Sequence, residues 1–199
     1  MKHILNIFLI LSIFSCKAQS IIVPIGSGQD FEKNPTYYIK DVNNEFDKFE
    51  GTWKYQNGTT EITFKLKKEE HYQAAENYNY IDLLVGEYLY IANGFEVANT
   101  LPRFDNPNIS GYSHKISGRI FKHRLPSHCI DNSAVSEIKI EVSISHQTEE
   151  YTEGIVILRY VNDNGIEKLE ACIYDDTTMG NIPNARIDIP DGYYEFIKQ

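Results

Sequence analysis

Three histidines and a cysteine lie close together in the sequence and are the residues most able to bind a metal. They are His114, His123, His128 and Cys129. Zinc prefers four nitrogen or sulfur ligands, which these side chains supply. Their spacing matches no common zinc motif, however, and His123 stands between two cations, Lys122 and Arg124. We therefore expect a polar loop and strand end here, and no metal site.

Other neighbouring residues could act in nucleophilic or acid–base chemistry. Ser127-His128 offers a nucleophile and a base, but the sequence has no Gly-x-Ser-x-Gly turn to present the serine. Glu149-Glu150 and Asp175-Asp176 could bind calcium or exchange protons. Adjacent residues of a strand point to opposite faces, so neither pair converges by itself. We expect no catalytic residue, no cofactor and no enzymatic activity.

Glu87 is the polar exception on an otherwise apolar strand face. The apolar residues of that face are Leu83, Val85, Leu89 and Ile91. A carboxylate at this position could anchor a ligand inside a barrel, or it could lie at a bulge or rim. With the neighbouring Tyr88 and Tyr90 it forms the candidate ligand-binding set.

These residues must be positioned by strands, because apolar and polar residues alternate along most of the chain. Asn57-Gly58, Asn93-Gly94 and Asn164-Gly165 predict type I′ hairpin turns. Residues 101–115 have the composition of a long loop, and helical segments are confined to short turns near 41–49 and 72–79. The predicted strands cover residues 52–56, 60–68, 83–92, 95–100, 116–124, 135–146, 154–162, 166–174, 185–189 and 193–198.

An antiparallel sheet of this size must close or fold over itself, because long free edges invite aggregation. We expect an all-β fold with one antiparallel β-barrel, and a two-sheet β-sandwich is the alternative. The 14 tyrosines, 10 phenylalanines and one tryptophan could fill or line either architecture. The chain has a net charge of −9, which argues against nucleic-acid binding.

The N-terminus has the pattern of a secretory leader. A positive start precedes an apolar run over residues 4–14, and Ser15-Cys16 follows it. As a helix this run rises only about 16 Å, too short to span a membrane and suited to a signal peptide. A small residue before a cysteine resembles the lipobox of bacterial lipoproteins, which implies cleavage before Cys16 and its acylation. We expect residues 1–15 to be a lipoprotein signal peptide and Cys16 the lipidation site; a plain secretory signal is the alternative.

The residues after Cys16 predict a location and a tether. Residues 17–20 contain no aspartate, which by resemblance to bacterial sorting signals favours the outer membrane, facing the periplasm. Residues 16–36 contain several prolines and glycines and predict a flexible tether before a β domain over 37–199. In an oxidising compartment Cys129 and Cys172 either form a disulfide or remain two buried thiols.

Residues 49–54, Phe-Glu-Gly-Thr-Trp-Lys, resemble the Gly-x-Trp strand start of lipocalins and fatty-acid-binding proteins. That resemblance implies a small barrel in which Trp53 plugs the closed end. It also implies a late arginine over the tryptophan, for which Arg159 and Arg186 are the candidates. The tight Asn57-Gly58 turn departs from both families.

The chain as a whole resembles a family of uncharacterised lipoproteins of Bacteroidota. The shared segments are residues 15–19, 47–54, 84–88 and the C-terminal Lys198-Gln199. The resemblance implies no known activity. Two functions remain open: a membrane-anchored barrel that binds a small apolar ligand in its mouth, and a filled barrel whose outer loops bind an envelope protein.

Overall fold

The computed structural model describes residues 20–30, 32–129, 133–134, 136–149, 151–175 and 186–199. Over these ranges the chain forms β-strands and short 3₁₀ turns, without an α-helix. No helix in the described ranges is long and apolar enough to cross a membrane. The strands are β1 (Ile21–Pro24), β2 (Tyr37–Lys40), β3 (Gly51–Asn57), β4 (Thr60–Tyr72), β5 (Tyr80–Ala92), β6 (Phe95–Asn99), β7 (Ile116–Lys122), β8 (Lys139–Ser145), β9 (Glu153–Asp163), β10 (Ile166–Asp175) and β11 (Gly192–Lys198), and the 3₁₀ turns are Asp47–Phe49, Leu101–Arg103 and Gly111–Ser113.

Eight strands close into an antiparallel barrel. The ring runs β5-β4-β3-β11-β10-β9-β8-β7, and β7 pairs back onto β5. Apart from the excursion of β6, the ring follows the order of the chain, which is an up-and-down barrel. The expected all-β fold and single closed barrel are therefore confirmed, and the two-sheet sandwich is not formed.

The Asn-Gly pairs lie at the predicted hairpins, but one turn differs in register. Asn93-Gly94 and Asn164-Gly165 have positive φ at both residues, as a type I′ turn requires. In the first hairpin Asn57 pairs with Thr60 and has no positive φ, so Gly58 is the first central residue of the turn. That arrangement is typical of a type II′ turn, in which the glycine stands first.

The sheet begins earlier than the sequence predicted. β1 pairs in parallel with β2, and β2 pairs in parallel with the start of β5. Val23 and Ile25 are buried, so the prediction of a flexible tether over residues 16–36 is wrong for this segment. The sequence does not predict this strand because the strand has only four residues and ends at Pro24, a residue that an edge strand tolerates.

Side chains fill the interior of the barrel. Trp53, Phe64, Tyr88 and Phe196 all have 0% exposure. The rings of Phe64 and Phe196 stack with their centroids 4.6 Å apart. Because strand residues alternate, the remaining inward positions bring Ile, Leu and Val side chains into the same core.

Candidate functional site

Trp53 lies at the closed end of the barrel, defined here as the end at which β3 begins and β11 finishes. The 3₁₀ turn Asp47–Phe49 precedes β3, and its Phe49 is buried. The indole Nε1 of Trp53 donates a hydrogen bond to the Phe49 carbonyl oxygen at 2.7 Å. Tyr160 contacts the Trp53 ring edge-on from β9, with centroids 6.3 Å apart. The indole is thereby fixed both to the turn and to the opposite wall.

A lysine, rather than an arginine, covers this tryptophan. The Lys198 Nζ lies 5.2 Å from the centroid of the Trp53 ring. Arg159 instead forms ion pairs with Glu137 and Glu170, with its Nε 2.6 Å from a Glu137 carboxylate oxygen. The prediction of Arg159 as the covering cation is therefore wrong, because the alternation of β9 directs it outward while Tyr160 points inward.

Tyr88 lies inside the barrel and reaches the mouth end, which is the end with the β3–β4 turn. Its hydroxyl donates to Asp188 Oδ2 at 2.5 Å and also lies 3.0 Å from the Ser145 carbonyl oxygen. Burial and the Asp188 carboxylate raise the pKa of Tyr88, so the phenol stays protonated. Because the Tyr88 hydroxyl already bonds to the protein's own residues, it is not free to bond to a ligand.

Asp188 binds a segment of chain over the mouth. Asp188 Oδ2 accepts a second hydrogen bond, from the Gln147 backbone N–H at 2.8 Å. The His146 Nδ1 accepts the backbone N–H groups of Thr148 and Glu149, so its Nε2 carries the proton toward Asp188 Oδ1, 3.1 Å away. Asp188 therefore ties the segment 186–191 to the loop after β8.

Two isoleucines flank Asp188 and close the mouth. Ile187 is 7% exposed and Ile189 is 1% exposed. A Cβ on Gly154 would lie 2.7 Å from Ile187 Cδ1, so this isoleucine packs directly on the start of β9. The sequence predicted a strand over 185–189 from the same alternation; residues 186–189 form no strand, and residue 185 lies outside the described residues. The alternation of these residues instead belongs to an irregular segment in which Ile187 and Ile189 are buried and Asp188 forms the polar contacts between them.

Tyr90 shares the mouth end with two further tyrosines. Tyr90 is 8% exposed, and Tyr55 and Tyr194 contact one another edge-on with centroids 5.0 Å apart. Burial raises the pKa of Tyr90, and it raises the pKa of Tyr194 to about 12. These three tyrosines form an aromatic layer of the interior at the mouth end.

Glu87 lies on the outer face of the barrel, so its predicted place inside is wrong. Tyr88 and Tyr90 point inward, and the period of two directs Glu87 outward. Its side chain is nevertheless 0% exposed, because the connection between β6 and β7 covers it. The apolar row around Glu87 in the sequence is likewise an outer row, with Leu83 and Val85 buried.

The covered carboxylate belongs to a cluster of ionisable side chains. Glu87 Oε1 lies 3.0 Å from His114 Nδ1 and 3.4 Å from Arg103 Nε. His114 Nε2 lies 4.0 Å from a carboxylate oxygen of Glu69, which accepts the Gly111 backbone N–H. Glu87 Oε2 and His114 Nε2 are buried without a hydrogen-bond partner. The pair has the orientation of a carboxylate–imidazole dyad, with Nε2 directed into the protein rather than toward solvent.

Cys129 and Cys172 form a disulfide with a Cα–Cα distance of 5.8 Å. This decides between the two alternatives that the sequence left open. His128 has a ring nitrogen within 4.8 Å of the sulfurs, but bridged sulfurs carry no thiolate to bind a metal. The histidines of the sequence cluster do not converge, since His114 joins Glu87 while His128 contacts Tyr174.

Two surface clefts lie outside the barrel wall. A cleft of about 570 Å³ adjoins the disulfide at the mouth end. A second cleft of about 440 Å³ lies at the closed end, where Lys33 Nζ stands 3.9 Å over the ring of Tyr78. The residues of the first cleft are His128, Cys129, Cys172, Ile173, Tyr174, Asp175, Asp191, Gly192 and Tyr193.

The whole chain, residues 1–199, matches a family of unknown function, DUF6705. The chain belongs to this family. No curated protein and no solved structure matches the chain. The expectation of a family without a known activity is confirmed, whereas its assignment to lipoproteins of Bacteroidota stays a prediction.

In this DUF6705 protein the structure brings together only part of the predicted set. Tyr88 and Tyr90 share the interior, and Trp53 lies at the opposite end. Glu87 is separated from all three by the barrel wall. Cys16 lies outside the described residues. Sequence reasoning missed the partners of Glu87 because His114 is distant in the chain, and only the polar exception in an apolar row signalled the cluster.

One strand carries exposed apolar residues beyond the barrel. Phe95 is 76% exposed and Val97 is 50% exposed, both on β6. β6 pairs with β5 at the mouth end, and a bulge interrupts its register after Tyr90. Since β6 has no other strand partner within the described ranges, it is an edge strand that exposes large apolar side chains to solvent.

Proposed function

We propose that this protein is a lipid-anchored component of the bacterial cell envelope, acylated at Cys16, that acts as a protein-interaction module. The proposal places it at the outer membrane, facing the periplasm. It assigns no catalytic role, no cofactor and no nucleic-acid partner to the chain. The membrane holds the protein through lipid, and the partner is another envelope protein.

The observation that carries the proposal is the filled interior. The large aromatic side chains of the core have no exposure, and the Tyr88 hydroxyl is bonded to Asp188 of the covering segment. A barrel packed in this way offers its outer surface for recognition rather than its interior. Contiguous exposed apolar side chains mark interaction sites more often than scattered ones do, and the exposed Phe95 and Val97 lie two residues apart on one edge strand.

We assign the partner contact to the edge of β6. Phe95 and Val97 supply apolar area, and an edge strand supplies backbone groups that can pair with a strand of another chain. This surface differs from the loop over 101–115 that the sequence favoured. In that loop Arg103 and His114 contact Glu87 on the outer face of β5, so these two side chains are already engaged within the chain.

Photo-crosslinking in cells tests the contact. A benzophenone amino acid replaces Phe95 at the mouth end, and the matched control replaces Asn162, an exposed residue near the closed end. We expect an adduct of one reproducible mass at position 95 and none at position 162. Val97→Ser should weaken that adduct without changing the fold. Equal labelling at both positions, or no adduct at 95, would contradict the contact.

The anchor has its own test. Mass spectrometry of the mature N-terminal peptide should find acyl chains on Cys16, and two or more chains are needed for stable attachment. Cys16→Ser should carry no acyl chain and should retain its leader, because cleavage in lipoproteins follows acylation of the cysteine. A wild-type N-terminal peptide without acyl chains, or cleavage before residue 16 that survives this substitution, would remove the anchor from the proposal.

A second function, binding of a small apolar ligand, is favoured by one observation. Tyr55, Tyr90 and Tyr194 form an aromatic layer beneath the mouth that is not completely enclosed, since Tyr90 is 8% exposed and the other two are half-buried. A small molecule could replace side-chain contacts there. Organic extraction of the purified protein followed by mass spectrometry tests it. Recovery of one apolar compound in stoichiometric amount would favour this function over the filled module, and an empty extract would remove it.

A further inference from the structure

We propose that the closed end of the barrel, at the start of β1, rests on the lipid bilayer, so that the mouth and β6 point away from the membrane. This inference rests on the lipid anchor proposed above. It adds an orientation, and it names the surface of the protein that contacts lipid.

Only a short length of chain separates the anchor from the sheet. Ile21 is the first residue of β1 and pairs with Tyr37 of β2. Between Cys16 and Ile21 an extended chain spans at most about 17 Å. The barrel therefore cannot move far from the bilayer, and the start of β1 must be the part of the sheet nearest to it.

The start of β1 lies at the closed end of the barrel. β1 runs parallel to β2, and β2 runs parallel to β5, with Tyr38 opposite Tyr80. All three strands therefore start at the closed end and run toward the mouth. From Tyr80, β5 extends to Ala92 beside β6, about 40 Å along the strand and about 30 Å along a tilted barrel axis. The anchor and β6 thus lie at opposite ends.

The surface at the closed end exposes apolar and amphipathic side chains. Ile21 is 55% exposed and Ile22 is 57% exposed, which is costly in water and favourable in acyl chains. Tyr78 is 47% exposed, and Lys33 lies against its ring. The backbone N–H of Ile21 bonds to the Thr36 carbonyl oxygen, and the Asn34 backbone N–H bonds to Asn79 Oδ1, so Tyr78 and Lys33 lie at the same end of the sheet as Ile21. Tyrosine and lysine beside isoleucine form the mixture found at membrane interfaces.

Depth-dependent fluorescence quenching tests the orientation. The mature acylated protein is placed in vesicles of phosphatidylethanolamine and phosphatidylglycerol that contain a doxyl-labelled lipid. An environment-sensitive fluorophore is attached at Ile22→Cys, with Val97→Cys as the matched control of similar exposure. The introduced cysteine is the reactive thiol, because Cys129 and Cys172 are bridged and Cys16 is acylated. Ile21→Cys serves as a second position should Ile22→Cys fold poorly.

We expect quenching at position 22 to exceed quenching at position 97 several-fold. Equal quenching at the two positions, or stronger quenching at 97, would overturn the orientation. If the protein fails to sediment with the vesicles and its N-terminal peptide carries no acyl chain, the anchor itself has failed. Acylated protein with the wrong quenching pattern would overturn only the orientation.

Discussion

The bond between Cys129 and Cys172 should contribute a large share of the stability of the fold. It joins the segment after β7 to the outer face of β10, and the residues between the two cysteines include all of β8 and β9. Breaking it by reduction leaves the sequence unchanged. The comparison of oxidised and reduced wild-type protein therefore isolates the covalent link from any loss of packing.

The size of the effect follows from the length of the closed loop. The cysteines are 43 residues apart, and closing such a loop removes about 13 cal/mol/K of entropy from the unfolded chain, or about 4 kcal/mol at 25 °C. Whole-domain stabilities are about 5–15 kcal/mol. Reduction should therefore bring the barrel close to the limit of independent folding.

Urea unfolding followed by tryptophan fluorescence measures the difference. Trp53 is the single tryptophan and is fully buried, so its emission reports exposure of the closed end. With a urea dependence of about 2 kcal/mol/M, the midpoint should fall by about 2 M on reduction. Cys129→Ala/Cys172→Ala should fall at least as far, since it also removes buried sulfur.

Two results would refute this reasoning. Equal urea midpoints for the oxidised and reduced proteins would mean that the disulfide does not reduce the conformational freedom of the unfolded chain. Two free thiols in protein isolated from cells without reductant would mean that the bond does not form in the cell. A mass increase of two hydrogens on reduction confirms that the bond was present at the start of the measurement.

Three further outcomes follow from particular contacts. Trp53→Phe should lower the free energy of unfolding by about 2–3 kcal/mol by circular dichroism, because it loses the buried bond to the Phe49 carbonyl and part of the core volume. Gly86→Ala should cost about 1–3 kcal/mol in the same assay, because its Cβ would lie 2.4 Å from the Lys65 carbonyl oxygen. Burial raises the pKa of Tyr194 to about 12, whereas the pKa of an unfolded tyrosine is about 10. The free energy of folding that the protonated Tyr194 phenol contributes is therefore fully present below a pH of about 10 and is lost as the pH rises toward 12. The unfolding midpoint of Tyr194→Phe should decline less over this pH range than that of the wild type.

The strands and their pairing were largely predictable because both depend on local pattern. Asn93-Gly94 and Asn164-Gly165 need positive φ, and few dipeptides adopt it readily. Alternation on both sides of each turn then fixes which residues pair. Closure of the ring was predictable from the number of strands, since an open sheet of that size leaves edges exposed.

The candidate site was less predictable because it depends on which face of a strand is covered. β5 is apolar on both faces: one row fills the barrel, and the other lies under the connection between β6 and β7. Periodicity identifies two rows but does not say which is inside. The interior position, one of the two alternatives for Glu87, is therefore wrong, and the contacts of Glu87 with His114 and Arg103 come from a connection that has no periodic signal.

Closure of both ends limits what the interior can do. For a ligand to enter at the mouth, Ile187 and Ile189 must leave the core, and Asp188 must give up its bonds to Tyr88 and Gln147. Each fully buried isoleucine is worth about 1.5–3 kcal/mol, and each hydrogen bond to a charged group about 1.5–3 kcal/mol. The ligand would have to recover most of that sum by its own burial among rings that already contact one another. A partner at β6 would displace only water, which is why we propose the outer edge, rather than the interior, as the site of recognition.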